Sequence, residues 1–349
     1  MGTKEHGVGI VGTGWVSSEY IRAFQSNSHT RVAAICSRSK ERGEAKAREF
    51  GLREVQIYTD YQKMLENSDL DIVCLCSPNF LHAEQTIQAA KAGRNVVIEK
   101  PVALNLKDLK RMRNAVRRAK IKTVVGFVLR WNPLFETIKS MIENDFVGNV
   151  FYVEADYQDN IGQWLHGWDW TRRMDTGGGT FLVGGCHAMD AIRWFAGRKR
   201  FEAEDIVEVS AYSGGYRKGR DLEWDGFSVA LVKFRNGALG KVSSNNDCVM
   251  PYGFPVSIFG NKGTIKDNRI WSHKFLGQKG WVQIPTILPD SGEVTHHPFQ
   301  GEVDHFVECI IYDRNSHCDL ESAINTHEAC IATMLSSEEN RPIKLPLLK

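Results

Sequence analysis

The sequence predicts an α/β protein: an N-terminal doubly wound Rossmann domain, then a C-terminal α+β domain whose sheet is mostly antiparallel and open-faced. Three observations predict this. Short apolar runs alternate with amphipathic stretches through the first third of the chain, a Gly12-Thr13-Gly14 turn follows the first run directly, and from about Asn149 the texture becomes a period-two alternation.

The runs Val8–Val11, Val32–Cys36, Ile72–Cys76, Val96–Glu99 and Thr123–Phe127 are dense in β-branched or apolar residues and bounded by turn or polar residues, so they read as strands. Helices are expected over 15–26, 39–50, 79–92 and 105–119, the last written almost entirely in Lys, Arg, Leu, Met and Ala. Strands apolar on both faces with helices between them imply a parallel sheet covered on each side. Beyond Asn149 the expected strands are Val150–Tyr157, Val207–Tyr212, Phe227–Phe234, Leu239–Asn245 and Val256–Gly260, separated by turn signals such as Asn236-Gly237 and Asn261-Lys262-Gly263-Thr264. Further helices are expected near 185–196, over Glu302–Tyr312 and over Ser322–Ser337. A chain of 349 residues suits two domains, and a junction near 126 divides it into 1–126 and 127–349.

Composition narrows the function classes. With 42% hydrophobic and 25% charged residues and no run of 18 apolar residues, a membrane-spanning helix is not expected. Met1 to Gly7 is polar and leads straight into a buried strand, which does not read as a signal peptide, so a cytoplasmic location is expected. The eight cysteines contain no C-x-x-C pair; Cys74 and Cys76 alternate within one strand and should face the same side as reduced thiols, not as disulfides or metal ligands. A net charge of +2 lacks the basic excess that nucleic acid or an anionic membrane rewards. The expected partner is a small molecule.

Gly12, Gly14, Trp15 and Val16 lie where a strand gives way to a helix. The first glycine permits the tight turn, the second lets the backbone approach a pyrophosphate, and the amides of the helix N-terminus face its charge. Ser17 stands where a third Gly or Ala is usual. A glycine-rich turn with no ligand is the plainer alternative. At the end of the second strand, Cys36-Ser37-Arg38-Ser39 offers no acid for the ribose hydroxyls of NAD. A hydroxyl beside a guanidinium suits a 2′-phosphate, which places NADP slightly ahead of NAD; Arg38 as a solvated helix-start residue is the other reading.

Two more segments carry a family likeness. Cys76-Ser77-Pro78-Asn79-Phe80-Leu81-His82 follows the third predicted strand, and Glu99-Lys100-Pro101 closes the fourth, where proline ends the strand and fixes the turn that presents the ammonium. With Arg130-Trp131-Asn132-Pro133, Gly177-Gly178-Gly179, His187-Ala188-Met189-Asp190, the tail Phe299–Phe306 and the closing Pro342-Ile343-Lys344-Leu345-Pro346, the chain resembles the glucose–fructose oxidoreductase, inositol dehydrogenase and MocA family over nearly its whole length. That resemblance adds Ser77, Pro78, Asn79, His82, Glu99, Lys100, Arg130 and Trp170 to the cofactor-binding set. It also makes Lys100 and His187 the groups that contact the reacting hydroxyl. Oxidising a secondary alcohol needs a base to take its proton, which suits imidazole, while Lys100 would stabilise the developing negative charge. Many family members carry Asp four residues before the histidine, where this chain has Val183. Asp175 is the expected stand-in, ahead of Asp169, and Asp190 is expected to support the helix that presents His187.

Between Tyr157 and Arg173 the sequence gathers Trp164, His166, Trp168, Trp170, Arg172 and Arg173. Indole faces pack on the C–H surfaces of sugar rings and the polar neighbours reach hydroxyls, so Trp164, His166 and Arg172 are expected to bind a sugar, polyol or glycoside. Tryptophans covering the sheet face or a subunit contact are the alternative. The resemblance brings Trp170 and Arg172 near nicotinamide or substrate, and His296, His297, Glu302 and His305 could line a far wall. The expected activity is an NAD(P)-dependent dehydrogenase or reductase. Two other readings stay open: a glycoside-processing enzyme that oxidises the ring transiently and eliminates, and a cofactor-sensing regulator, which should have lost the lysine or histidine. An open sheet face should make the protein a homodimer or homotetramer.

Overall fold

A computed structural model describes residues 5–219, 221–286, 289 and 297–348. The chain divides into two compact units, Met1–Val128 with His297–Glu321 and Leu129–His296 with Ser322–Lys349.

The first unit runs β1 (His6–Val11), α1 (Trp15–Ser26), β2 (Thr30–Cys36), α2 (Lys40–Glu49), β3 (Gln56–Tyr58), α3 (Tyr61–Leu65), β4 (Ile72–Leu75), α4 (His82–Lys91), β5 (Asn95–Ile98), α5 (Leu106–Ala119) and β6 (Thr123–Val125). The strands form one six-stranded sheet in the order β3-β2-β1-β4-β5-β6, all parallel. This is the doubly wound order, in which the direction of winding reverses between β1 and β4 and ligands bind beyond the carboxyl ends of the strands. Val8, Ile10, Val73, Cys74, Val97 and Ile98 are wholly buried, as strands covered on both faces require. β4 and β5 stop one residue before the predicted ends, so Cys76 and Glu99 stand in the loops at that carboxyl edge. β3 and α3 were not predicted. β3 is a three-residue edge strand, Gln-Ile-Tyr, with no buried residue, and five-residue α3 shows its start only in Asp60, whose carboxylate accepts the amides of Gln62 and Lys63.

The second unit begins with α6 (Pro133–Glu143) and β7 (Val150–Gln158), continues through the short helices α7 (Trp168–Thr171) and α8 (Met174–Gly177), and reaches α9 (Cys186–Ala196) through a π-type turn over Phe181–Gly185. Then come β8 (Ile206–Gly214), β9 (Phe227–Phe234), β10 (Leu239–Asn245), β11 (Val256–Gly260), β12 (Gly263–Lys266), β13 (Arg269–Ser272) and β14 (Val282–Gln283). With β15 (Ile343–Lys344) they make a nine-stranded sheet, β14-β13-β12-β11-β7-β10-β9-β8-β15, antiparallel except where β7 meets β10. α9 packs against β7 and β10 with every residue buried. On the other face Tyr212, Leu231 and Leu239 are exposed, so one side of the sheet is open, as predicted.

The contiguous division into 1–126 and 127–349 needs one correction. α10 (Phe299–Ile311) belongs to the first unit: Phe299 meets Tyr20 of α1 edge to face at 4.9 Å, and Asn27 donates to Asp304 at 2.7 Å. The residues after α10 cover the β6 edge, where Val125 donates to the Cys318 carbonyl at 2.8 Å and Leu320 to the Thr123 hydroxyl at 3.0 Å. The last helix, α11 (Leu320–Glu339), runs on into the second unit. An apolar stripe shows that a helix is buried; it does not name the surface that buries it.

Candidate active site

Gly12 adopts φ +99°, and a Cβ there would stand 2.5 Å from the Cys76 carbonyl oxygen, so only glycine lets β1 turn this close to the loop after β4. Gly14 precedes α1 in an extended conformation with no side-chain cap, and the first turn of α1 carries no acid. The amides there are left open to an anion, where the helix dipole adds to the attraction. Ser17 fills the third-glycine position: it is buried and its hydroxyl donates to the Gly14 carbonyl at 2.6 Å, closing the turn. Trp15 is exposed and Val16 half-buried at the same mouth. The uncapped amides of the turn are the donors a dinucleotide pyrophosphate needs. Ser37 is buried with its hydroxyl donating to the Ser39 carbonyl at 2.5 Å, whereas Arg38 is exposed.

In the loop after β4, the Ser77 hydroxyl donates to Gln85 at 2.5 Å, Pro78 leads into a 3₁₀ turn, and Asn79 is buried. His82 differs from its expected role. Its ring is buried, with Nδ1 2.8 Å from the Pro101 carbonyl and Nε2 2.8 Å from the Ser77 carbonyl, so both ring nitrogens are taken up in tying the two loops together. Burial pulls its pKa down, while the two carbonyl acceptors favour the protonated ring. Glu99 is buried beside it in sequence: Oε1 accepts from the Tyr20 hydroxyl at 2.9 Å and Oε2 from the Lys100 amide at 3.1 Å. Burial raises the Glu99 pKa and the Lys100 charge opposes the rise.

In the second unit His187 is buried in the first turn of α9. The π-type turn before it is pressed flat, since a Cβ on Gly184 would come within 2.3 Å of the Tyr157 ring and one on Gly185 within 2.6 Å of the Ser244 Cβ. One turn beyond His187, Asp190 takes Arg130 Nε at 2.6 Å and an Arg130 Nη at 2.7 Å, and accepts from Thr326 at 3.2 Å. Arg193 on the same helix donates to the Ser322 carbonyl at 2.7 Å and the Glu204 carbonyl at 3.1 Å. Asp190 thus holds the helix that carries His187, as expected. Arg130, expected at the cofactor, forms this buried pair, its guanidinium fork matched to the carboxylate.

The expected acid near His187 is also corrected. Asp175 is exposed, with its two oxygens on Arg173 at 3.0 and 2.9 Å, and that pairing lowers its pKa. Val183 packs instead with Leu165 and Trp168 against Ile161, Leu222 and Trp224. Where relatives are expected to place a carboxylate, this chain builds apolar packing.

Leu165 and Trp168 also line an open cavity of about 610 Å³, together with Trp164, His166, Arg172 and Asp221. The structure therefore brings the three predicted substrate residues, Trp164, His166 and Arg172, to one place. Trp170 lies over Gly167, at φ +93°, where a Cβ would meet its Nε1 at 2.5 Å. Sequence reasoning missed Asp221, which reaches the cavity from a later loop, and Arg217, whose guanidinium lies 5.5 Å from the Trp168 ring and donates to the Ile161 carbonyl at 2.6 Å. Glu302 and His305 belong to α10 of the first unit and do not line this cavity; Glu302 is wholly buried, and His305 Nε2 lies 3.0 Å from the Ser316 hydroxyl. His297 begins the second segment of that unit, and His296 lies outside the described residues.

Comparison with known proteins agrees with this architecture. The model of the oxidoreductase family with an NAD-binding Rossmann fold matches residues 6–127, and that of the GFO/IDH/MocA C-terminal domain matches residues 135–266. The scyllo-inositol 2-dehydrogenase (NAD(+)) of Bacillus subtilis is 26% identical over 316 residues, 88% of this chain and 86% of its own. The D-glucoside 3-dehydrogenase of Escherichia coli is 25% identical over 337 residues, 95% of this chain and 90% of its own. A crystal structure of scyllo-inositol dehydrogenase from Lactobacillus casei, with bound NAD(H) and scyllo-inositol, shares the fold with a TM-score of 0.80 at 20% identity, over 98% of this chain and 99% of that one.

Replacing Asp190 by Ala leaves the Arg130 guanidinium buried without its counter-charge, which should cost about 3–5 kcal/mol of stability. Denaturant unfolding of the variant checks this, and a loss below about 1 kcal/mol would remove the pair from its supporting role.

Proposed function

The chain belongs to the Gfo/Idh/MocA oxidoreductase family, and on that premise we propose that it moves a hydride between a nicotinamide dinucleotide and a secondary hydroxyl or ketone of a sugar, polyol or glycoside. The observation that carries this reading is the shared edge of the parallel sheet. There the open amide end of α1 and the Glu99-Lys100 loop lie beyond the carboxyl ends of β1 and β5. When bound, the dinucleotide takes up or returns the hydride. Gly12, Gly14, Trp15 and Val16 receive its pyrophosphate, and Ser77, Pro78 and Asn79 flank it. Lys100 hydrogen-bonds the reacting oxygen and stabilises the negative charge that develops there. His187 takes the hydroxyl proton, a task suited to imidazole, which as a class titrates near neutrality.

The aromatic walls and polar groups of the Trp164–Arg172 cavity fit a hydroxylated ring, and the relatives named for scyllo-inositol and for D-glucoside point to the same substrate class. The apolar packing of Val183 keeps a second reading in view, in which the ring is oxidised only transiently and a glycoside leaves by elimination. That reaction turns over with no net reduced cofactor. Cofactor choice rests on Arg38, exposed just past β2 in the acid-free stretch Cys36-Ser37-Arg38-Ser39, and this favours the 2′-phosphate of NADP. Eight free cysteines fit a reducing compartment such as the cytoplasm. A second copy of the chain is the expected cover for the open sheet face around Tyr212, Leu231 and Leu239.

Three outcomes test this reading. Screening monosaccharides, inositols and glycosides at the reduced-nicotinamide absorbance band should reveal a substrate, with Lys100→Met and His187→Ala each lowering kcat by about 10²–10⁴. Variants that keep turnover within about threefold of the wild type would contradict the assigned roles. Arg38→Ala should reduce the NADP-to-NAD ratio of kcat/KM by about tenfold, a loss of roughly 1.4 kcal/mol in recognition, and an unchanged ratio would take cofactor choice away from this residue. Light scattering should find a dimer or tetramer that Leu231→Asp dissociates; a wild-type monomer at micromolar concentration would leave the open face without the partner assigned to it.

A further inference from the structure

The first unit buries two carboxylates against one hydroxyl. Tyr20 Oη on α1 lies 2.9 Å from Glu99 Oε1 and 3.0 Å from Glu302 Oε1, and both distances are those of hydrogen bonds. A phenol has a single proton to give. Tyr20 can donate to only one of the two carboxyl oxygens, so the short contact to the other needs a proton on that carboxyl group. The surroundings decide which one. Glu99 has donors suited to a charged group, with the Lys100 amide 3.1 Å from Oε2 and the Lys100 ammonium nearby in charge. Glu302 is wholly buried, and its Oε2 has no hydrogen-bond partner among the described residues. A charged carboxylate held that way would have one oxygen stripped of water with no hydrogen bond in exchange.

We propose that Glu302 is a neutral carboxylic acid in the working protein, and that it acts through Tyr20 as a positioning residue that holds Glu99 ionised beside Lys100. The Glu302 acid donates to Tyr20 Oη, and Tyr20 donates to Glu99 Oε1. Every hydrogen in the chain then has an acceptor, and the single negative charge sits at the end next to the ammonium. Burial and the Glu99 charge both push the Glu302 pKa well above the ordinary carboxylate range, in the direction this arrangement needs.

The other groups facing the cluster do not supply a competing charge. From β4, Cys74 is wholly buried with its sulfur 3.6 Å from that of Cys76, and burial raises the Cys74 thiol well above its usual pKa. From α10 itself, the Phe299 ring packs on Tyr20, and Asp304 is turned to Asn27 and Gln300. From the end of β6, Gly126 contributes no side chain; a Cβ there would lie 2.8 Å from Glu99 Oε1 and 3.1 Å from Tyr20 Oη. The cluster therefore needs glycine at 126 as well as the three side chains.

The link to Lys100 rests on the proposed reaction, whereas the protonation of Glu302 does not, and two measurements separate them. The infrared spectrum of the wild type at neutral pH should contain the carbonyl band of a buried carboxylic acid, sensitive to deuterium exchange and absent from Glu302→Gln. Absence of that band, or its survival in the variant, would overturn the neutral state whether or not any polyol is turned over. For the second measurement, the titration of Glu99, followed by its infrared carboxylate band, should stay within about 0.3 pH unit of the wild type in Glu302→Gln, because an amide replaces a neutral donor with a neutral donor. Tyr20→Phe should move that titration up by about one unit, because Glu99 loses a donor to its charged form. A downward shift of about one unit in Glu302→Gln would mean that a true anion had been removed beside Glu99, and an unmoved titration in Tyr20→Phe would break the link through Tyr20. A chain inactive on every polyol would contradict the proposed reaction and leave the infrared band to decide the state of Glu302.

Discussion

The close approach of Gly12 to the Cys76 carbonyl is the constraint on which the edge of the first unit depends. Without a Cβ the backbone leaves β1, passes the loop after β4 and enters α1 with its first amides uncapped. That same loop is fixed one residue later, because the Ser77 carbonyl is held by His82, and His82 is held in turn by the Pro101 carbonyl. A short series of contacts thus connects the Gly12 turn to the loop that bears Lys100. Parallel strand order places all three loops at one edge, and the histidine fixes their spacing.

The second unit seats His187 on a helix that is buried along its whole length. Polar groups inside a unit cost free energy unless they are paired, and here Arg130, Asp190, Arg193 and Thr326 form a connected set in which each has a partner. Lys139 on α6 extends the support by donating to the carbonyls of Trp194, Gly197 and Glu202 at the far end of α9. Such networks contribute little net stability compared with apolar packing of the same volume; their effect is to leave the helix one seating. Asp175 is paired with Arg173 at the surface, and Val183 packs with Leu165 and Trp168.

Much of this was legible in the sequence because it follows from periodicity and backbone chemistry. β1, β2, β4, β5 and β6, the helices α1, α2, α4 and α5, the Gly12 turn and β7 to β11 all carry local patterns, whereas the short strands β12 to β15 were not read from the sequence, and residues 261–264, read as a turn, run into β12. The gathering of Trp164, His166 and Arg172 was legible for the same reason, since they lie within one loop. What escaped depends on contacts between distant segments. The identity of Arg130 says only that it is cationic, and its role is decided by Asp190, sixty residues away. His82 reads as a ligand in a loop motif until its two carbonyl partners are seen. Glu302 was read as one wall of a substrate site, because nothing local shows that α10 returns to pack on α1.

The account stands on a dinucleotide seated over the Gly12 turn, and titration of reduced cofactor into the wild type and Gly12→Val, followed by the protein's fluorescence, tests that most directly. The account predicts saturable binding to the wild type and a loss of at least about tenfold in the variant, with its unfolding transition still cooperative. Equal affinity in the two proteins would contradict it, because a side chain forced against the Cys76 carbonyl cannot leave that turn as it is.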